Sequence, residues 1–96
     1  MNSNLNKAFR ALRKAGYFAR QNWACCQSCG WAEIPDGRGD KAVFYHAQDN
    51  DDKRAGKPFH MAWSGDGHEI CRILNANGVK TSWNGSEGQR IMVEQW

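Results

Sequence analysis

Three cysteines stand within five positions of this 96-residue chain, at Cys25, Cys26 and Cys29. The spacing Cys26-x-x-Cys29 is that of a zinc knuckle, in which two thiolates of one turn hold a tetrahedral ion. Such a site needs two further ligands, and the chain contains no second Cys-x-x-Cys and no His-x-x-x-His. The predicted metal site is therefore Cys26, Cys29 and His46. The sequence demands no cofactor, and zinc is the ion that this half-signature favours.

Other kinds of chemistry fit the same thiols. A Cys-x-x-Cys pair can act as a redox dithiol when a helix N-terminus stabilises its first thiolate, although Cys29-Gly30 predicts a poor helix start. A thiol-dependent enzyme would use Cys26 or Cys29 as nucleophile, His46 as base and Asp49 to orient the base. Small thiols can also pack as compact apolar side chains, with His46 as a hydrogen-bonded core residue. The sequence leaves these alternatives open.

Positive charge is concentrated at the N-terminus. The first twenty residues contain five Lys/Arg and no acidic residue, whereas the rest contains eight Lys/Arg and ten Asp/Glu. Lys7, Arg10, Arg13 and Lys14 alternate with apolar residues at helical spacing, so they share the polar face of a predicted helix. That face is the predicted partner-binding surface, open to nucleic acid or to an acidic protein. A solvated face without a partner is the alternative.

Hydrophobic periodicity predicts the elements that position these residues. Helices are expected over residues 4–15 and from Asp66 to Asn77, with Asp66 as N-cap and Glu69 completing a capping box. A short helical turn is expected over residues 25–34 and a polar loop over residues 48–57. Five strands are expected over residues 17–24, 42–46, 58–63, 79–83 and 90–93. The predicted fold class is α+β: a two-layer domain whose mostly antiparallel sheet of about five strands carries two main helices on one face.

Length and composition limit the class of protein. A chain of 96 residues with 41% hydrophobic residues predicts one folded domain spanning residues 1–96. No apolar run approaches the roughly 20 residues of a membrane-spanning helix, so no membrane partner is expected. The polar start Met1-Asn2-Ser3-Asn4 lacks the apolar core of a signal peptide. We therefore expect a cytoplasmic protein with reduced cysteines.

Two segments also carry a family likeness. Asn22-x-x-Cys25-Cys26-Gln27-Ser28-Cys29-Gly30, followed by Phe44-Tyr45-His46-x-Gln48-Asp49, resembles an uncharacterised bacterial family classed as a domain of unknown function. The likeness extends from about residue 8 to residue 93 and includes Trp83-x-Gly85 and Gln89-Arg90-Ile91. The resemblance implies a small cytosolic domain. It implies no activity, cofactor or catalytic residue.

These observations favour a small cytosolic, non-enzymatic binding or regulatory module that acts through protein–protein contacts, with structural zinc if a metal is bound. The small size and the absence of a complete set of catalytic residues support this prediction. One alternative is an inhibitor of the phage or mobile-element type that binds a bacterial nucleoprotein machine. The other is the thiol-dependent enzyme that uses Cys26 or Cys29 with His46.

Overall fold

The computed structural model describes residues 3–35 and 37–96. This part of the chain forms four helices and five strands, which alternate along the chain until the last two strands follow each other directly. The helices are α1 (Ser3–Lys14), α2 (Gln27–Glu33), α3 (Ala47–Arg54) and α4 (Gly67–Ala76). The strands are β1 (Phe18–Arg20), β2 (Ala42–Phe44), β3 (Phe59–Trp63), β4 (Lys80–Ser82) and β5 (Ile91–Gln95). They form one sheet in the order β1-β2-β3-β5-β4.

Helices α1 and α4 cover one face of the sheet. Leu5, Phe9 and Leu12 of α1 are fully buried, as are Ile70 and Leu74 of α4. They pack on strand residues that point to the same face: Ala19, Val43, Phe59, Met61, Ile91 and Val93. Because successive strand residues point to opposite faces, these residues form one core between the helices and the sheet. The two predicted main helices therefore lie on one face, as expected.

The opposite face carries a smaller core beneath α2. The strand residues that point to this face are Phe18, Ala42, Phe44 and Ala62. Trp31 of α2 meets the ring of Phe44 edge to face, with ring centroids 5.1 Å apart. Gly30 faces the same ring, and a Cβ added there would lie 2.7 Å from Cζ of Phe44. A residue without a side chain is thus what lets the backbone of α2 approach the sheet so closely.

The α+β class is confirmed, and the sheet is mixed. In the described residues, β1 and β2 pair in parallel, whereas the other three pairs are antiparallel. The predicted antiparallel pairing of residues 42–46 with 58–63 and the predicted terminal hairpin are both present. A parallel neighbour requires a crossover connection, and α2 supplies it on the second face. The predicted helical turn over residues 25–34 therefore determines the direction of β1.

The prediction of a loop over residues 48–57 is wrong, because most of this segment forms α3. Its N-cap is His46, whose Nδ1 accepts a hydrogen bond from the backbone N–H of Asp49 at 3.4 Å. The Asp49 carboxylate accepts from the backbone N–H of His46 in return, which completes a capping box. The segment has almost no apolar periodicity, so only its N-cap could have indicated a helix. Histidine is outside the usual set of N-cap residues, and the helix was therefore not predicted.

The predicted N-cap of α4 is confirmed. The Asp66 carboxylate accepts hydrogen bonds from the backbone N–H groups of His68 and Glu69 at 3.0 and 3.2 Å. The Glu69 carboxylate accepts a hydrogen bond from the hydroxyl of Tyr17 at 2.6 Å instead of returning to the cap. This bond ties α4 to the chain between α1 and β1.

Within the described part of the chain, no helix is both long enough and apolar enough to cross a membrane.

The two tyrosines of the chain give a pH prediction for the fold. Burial, with the hydrogen bond to Glu69 and its charge, raises the pKa of Tyr17 from 10.0 to about 12. Burial raises the pKa of Tyr45 to about 12 as well. In the unfolded chain both tyrosines ionise at the ordinary pKa of 10.0. Their contribution to the free energy of unfolding is therefore complete below pH 10 and is lost as the pH rises toward 12. Ultraviolet titration should therefore show no tyrosinate in the folded protein near pH 10.5, and full ionisation near the ordinary pKa in denaturant. Tyrosinate formation near pH 10 without unfolding would contradict this.

Gly30→Ala tests the close approach of α2 to the sheet. The new methyl group collides with the Phe44 ring, so we expect a loss of about 1–3 kcal/mol in the free energy of unfolding. Gly39→Ala is the matched control, because an added Cβ there meets nothing within 4 Å, and its change should stay within about 0.5 kcal/mol. Urea unfolding of both variants measures the difference. Equal stabilities would show that the approach at Gly30 is not a constraint.

Candidate functional site

The thiol cluster, defined as Cys25, Cys26 and Cys29, lies at the start of α2. Strand β1 ends at Arg20, and the chain then passes through Asn22 and Ala24, whose φ angles are 52° and 66°. Non-glycine residues rarely adopt this left-handed conformation, which costs roughly 1–2 kcal/mol per residue. The turn changes the direction of the next two side chains. In a continuing strand Cys25 and Cys26 would point to opposite faces, but here their sulfur atoms lie 3.9 Å apart.

The three sulfur atoms lie close enough to bind one ion. All three are within 4.8 Å of one another. In a tetrahedral zinc site with Zn–S bonds of about 2.3 Å, neighbouring sulfur atoms lie about 3.8 Å apart. The Cys25–Cys26 distance already matches this value, and the other separations need a contraction of at most about 1 Å. Cys25 is exposed and the other two are half-buried, so an ion can reach the cluster from solvent.

The cysteines of the Cys-x-x-Cys pair differ in acidity. A hydrogen bond from the backbone N–H of Cys29 is the largest cause that lowers the pKa of Cys26 below its ordinary value, and a hydrogen bond with the Cys29 thiol is the second. Hydrogen bonding to Cys26 and Cys25, together with their charges, raises the pKa of Cys29 to about 12. Cys26 is therefore the first of the two thiols to ionise. The thiolate is the form that binds metals and attacks electrophiles.

Trp23 fixes the cluster to the fold. Its indole N–H donates to the carbonyl of Gly30 at 3.0 Å, and its backbone N–H donates to the carbonyl of Tyr45 at 2.8 Å. The backbone N–H of Ala47 donates to the carbonyl of Ala24 at 3.0 Å. These bonds join Trp23 and Ala24, which precede the cysteines, to α2 and to the start of α3. The segment that carries the thiols is therefore held by two backbone hydrogen bonds and by one from the Trp23 indole.

The imidazole of His46 does not join the thiol cluster. Among the described residues, no group of three donors within 4.8 Å of one another includes His46. Its Nε2 lies 3.2 Å from a carboxylate oxygen of Asp49, and the residue is only 4% exposed. The predicted ligands Cys26, Cys29 and His46 therefore do not meet around one centre. Cys26 and Cys29 do come together, and the third sulfur beside them is that of Cys25.

Asp49 connects His46 to the terminal hairpin. A guanidinium nitrogen of Arg90 donates to the Asp49 carboxylate and also, at 2.9 Å, to the carbonyl of His60. Asp49 is 7% exposed and the Arg90 side chain is half-buried, so the charge pair is partly shielded from solvent. Removal of one partner would leave the other charge unpaired, which is costly. His46 and Asp49 thus act as the cap of α3 and as its attachment to β3 and β5. The sequence gives no signal that Arg90, a single arginine beside a turn, bonds to Asp49 and attaches α3 to the sheet.

Two further residues with metal-binding side chains, His68 and Cys71, lie in other surroundings. The ring of His68 packs against Trp83, with ring centroids 5.0 Å apart. Cys71 packs against the main core, and burial raises the pKa of its thiol. In the described residues neither joins a group of three metal-binding donors.

The predicted partner-binding residues lie on the outer face of α1. Lys7, Arg10, Arg13 and Lys14 are all exposed, whereas the apolar residues between them are largely buried. Arg13 also donates to the backbone carbonyl of Ala19 at 3.0 Å. The sequence prediction of one helix face therefore agrees with the structure, and its role as a binding surface stays a prediction.

Comparisons with known proteins give a family and no function. One protein-family model, described as "Domain of unknown function (DUF6891)", matches residues 1–96. No curated protein and no solved structure matches the chain.

Alkylation of the metal-free protein tests the thiol acidities. Cys26 should react with iodoacetamide faster than Cys29 at neutral pH, because more of it is thiolate. Its rate should reach half of its maximum at a pH below the ordinary pKa of a thiol, because the pKa of Cys26 is lowered. Mass spectrometry after short exposures identifies the modified residue at each pH. Cys26→Ser should remove the fast phase and Cys71→Ser should leave it intact. A fast phase assigned to Cys29 would contradict the assignment.

Proposed function

The chain belongs to this family of unknown function, and we propose that it is a small, non-enzymatic binding module whose thiol cluster holds a zinc ion. The observation that supports this proposal is the meeting of three sulfur atoms within 4.8 Å of one another at a solvent-accessible turn. Thiolate-rich sites select zinc and other thiophilic ions over magnesium or calcium. The three cysteines therefore suit zinc better than any oxygen-preferring ion.

Three thiolates leave one position of a tetrahedral ion for a ligand from outside the cluster. In the described residues no fourth His, Cys, Asp or Glu donor joins the group. A water molecule or a side chain of a bound protein would occupy that position. Open positions of this kind are typical of zinc ions that exchange ligands. The fourth position gives the module a direct means of contacting a partner.

A groove beside the cluster suits protein contact better than a small substrate. It lies between α2 and the β4–β5 loop and is lined by Gln27, Trp31, Trp63 and residues 87–90. Its volume is about 100 Å³, below the roughly 300–1,000 Å³ of a typical small-molecule site. Tryptophan is enriched in protein interfaces. Since Gln27 directly follows Cys26, a partner seated in the groove would also reach the cluster.

The thiol chemistry favours a reducing compartment. All four cysteines are free, and zinc binding requires the thiolate rather than the disulfide form. Glutathione and thioredoxin keep thiols reduced in the cytoplasm. We therefore place the module in the cytoplasm as part of the proposal.

Zinc binding can be measured by competition with a chromophoric chelator under reducing conditions. The full-length protein should bind one equivalent of zinc, and Cys25→Ser, Cys26→Ser and Cys29→Ser should each weaken binding by at least about tenfold, because each removes one ligand. Cys71→Ser is the matched control and should leave zinc affinity unchanged. Zinc should also raise the melting temperature, by an amount that grows with the logarithm of the free zinc concentration once it exceeds the Kd.

His46→Ala separates this arrangement from the ligand set predicted from sequence. It should lower stability by about 0.5–2 kcal/mol, because it removes the N-cap of α3, while zinc affinity is retained. Loss of zinc binding in folded His46→Ala would return His46 to the ligand set. Less than a tenth of an equivalent of zinc in the unmodified protein would refute the metal site.

A further inference from the structure

Two arginines converge at the free edge of the sheet. Arg13 of α1 and Arg20 of β1 both donate to the backbone carbonyl of Ala19, at 3.0 and 2.9 Å. Their bonding nitrogens therefore lie within about 6 Å of each other, although both guanidinium groups are positively charged. Each guanidinium has five N–H donors, so most of these donors remain for another acceptor. An anion placed between them would relieve their repulsion.

The aromatic ring beneath β1 holds one of these guanidinium groups in place. Cζ of Arg20 lies 4.3 Å from the ring centroid of Phe18, and Cζ of Arg38 lies 5.5 Å from the same centroid. Cation–π contacts of this kind orient an arginine without neutralising it. The edge of β1 thus presents oriented positive charge.

The basic face of α1 continues from this edge. Lys7, Arg10 and Lys14 follow one another at spacings of three and four residues, so they form a row along the exposed side of the helix. At 1.5 Å per residue the row is about 10 Å long. Among the ion pairs of the described residues, none includes these three side chains, Arg13 or Arg20. The first acidic residue of the chain is Glu33.

We infer that the outer face of α1 and the edge of β1 bind the phosphate backbone of a nucleic acid. The exposed side chains of α1 on this surface are basic or amide-bearing, namely Asn6, Lys7, Arg10, Arg13 and Lys14. Lysine, arginine and amide side chains are among the groups that donate to DNA phosphates. Protein interfaces depend instead on buried apolar and aromatic anchors, which this face does not offer. The inference uses none of the residues of the thiol cluster and does not depend on zinc.

Fluorescence polarisation with a labelled DNA duplex of about 20 base pairs tests the inference. Binding should weaken steeply between about 50 and 200 mM salt, with a log–log slope near −4 if four or five phosphates are contacted. The double variants Lys7→Gln/Lys14→Gln and Arg13→Gln/Arg20→Gln should each weaken binding by about tenfold or more and reduce the slope by about 2.

The control variant Arg54→Gln/Lys57→Gln removes the same charge from exposed positions of α3 and its following turn. It should leave affinity and slope nearly unchanged. Near-ultraviolet circular dichroism shows whether each variant is folded. Neither Lys7 nor Lys14 makes a side-chain hydrogen bond within the described residues. The lysine variant therefore keeps the test valid if the arginine variant loses its fold. Equal weakening by the control, no binding at about 50 mM salt, or equally tight binding of labelled polyglutamate would overturn the inference.

Discussion

The contact between Gly30 and the ring of Phe44 is the constraint on which the site depends. Helix α2 has only seven residues, too few to be stable without tertiary packing. Its packing comes from Trp31, Ile34 and the close backbone approach at Gly30. Because α2 lies against β2, it carries Cys29 and the N-cap residue Cys26 to fixed positions. The same crossover makes β1 parallel to β2, so sheet topology and thiol geometry have one cause.

The turn before α2 supplies the second requirement. Asn22 and Ala24 hold unfavourable left-handed conformations, which persist only where the surrounding structure compensates for their cost. The hydrogen bonds of Trp23 and Ala47 provide that compensation. A cluster that is already ordered loses less conformational entropy when it binds an ion. The strained turn would therefore make the proposed metal binding more favourable than it would be for the same three cysteines in a flexible loop.

The sequence predicted the elements with strong apolar periodicity and failed where packing or capping decided the outcome. Helices α1 and α4 and the antiparallel pairs follow directly from periodicity and from the Asp66 cap. Helix α3 has no apolar face to detect, and its cap is a histidine. In the candidate site, the spacing of Cys26 and Cys29 predicted two thiols that the structure places close together, and their binding of a metal stays a prediction. Cys25 was left out because the predicted site rested on the Cys26-x-x-Cys29 spacing, and the left-handed residue before it is an alanine, which gives no sequence signal for such a turn.

The most direct test of the proposed metal centre is X-ray absorption spectroscopy of the zinc-loaded protein, since it counts the atoms around the ion. The structure predicts three sulfur atoms at about 2.3 Å and one oxygen or nitrogen atom at about 2.0–2.1 Å. Two sulfur atoms with one imidazole would contradict this account, because they would mean that Cys26, Cys29 and His46 hold the ion and that Cys25 does not. A shell without sulfur would show that the thiol cluster does not bind zinc at all.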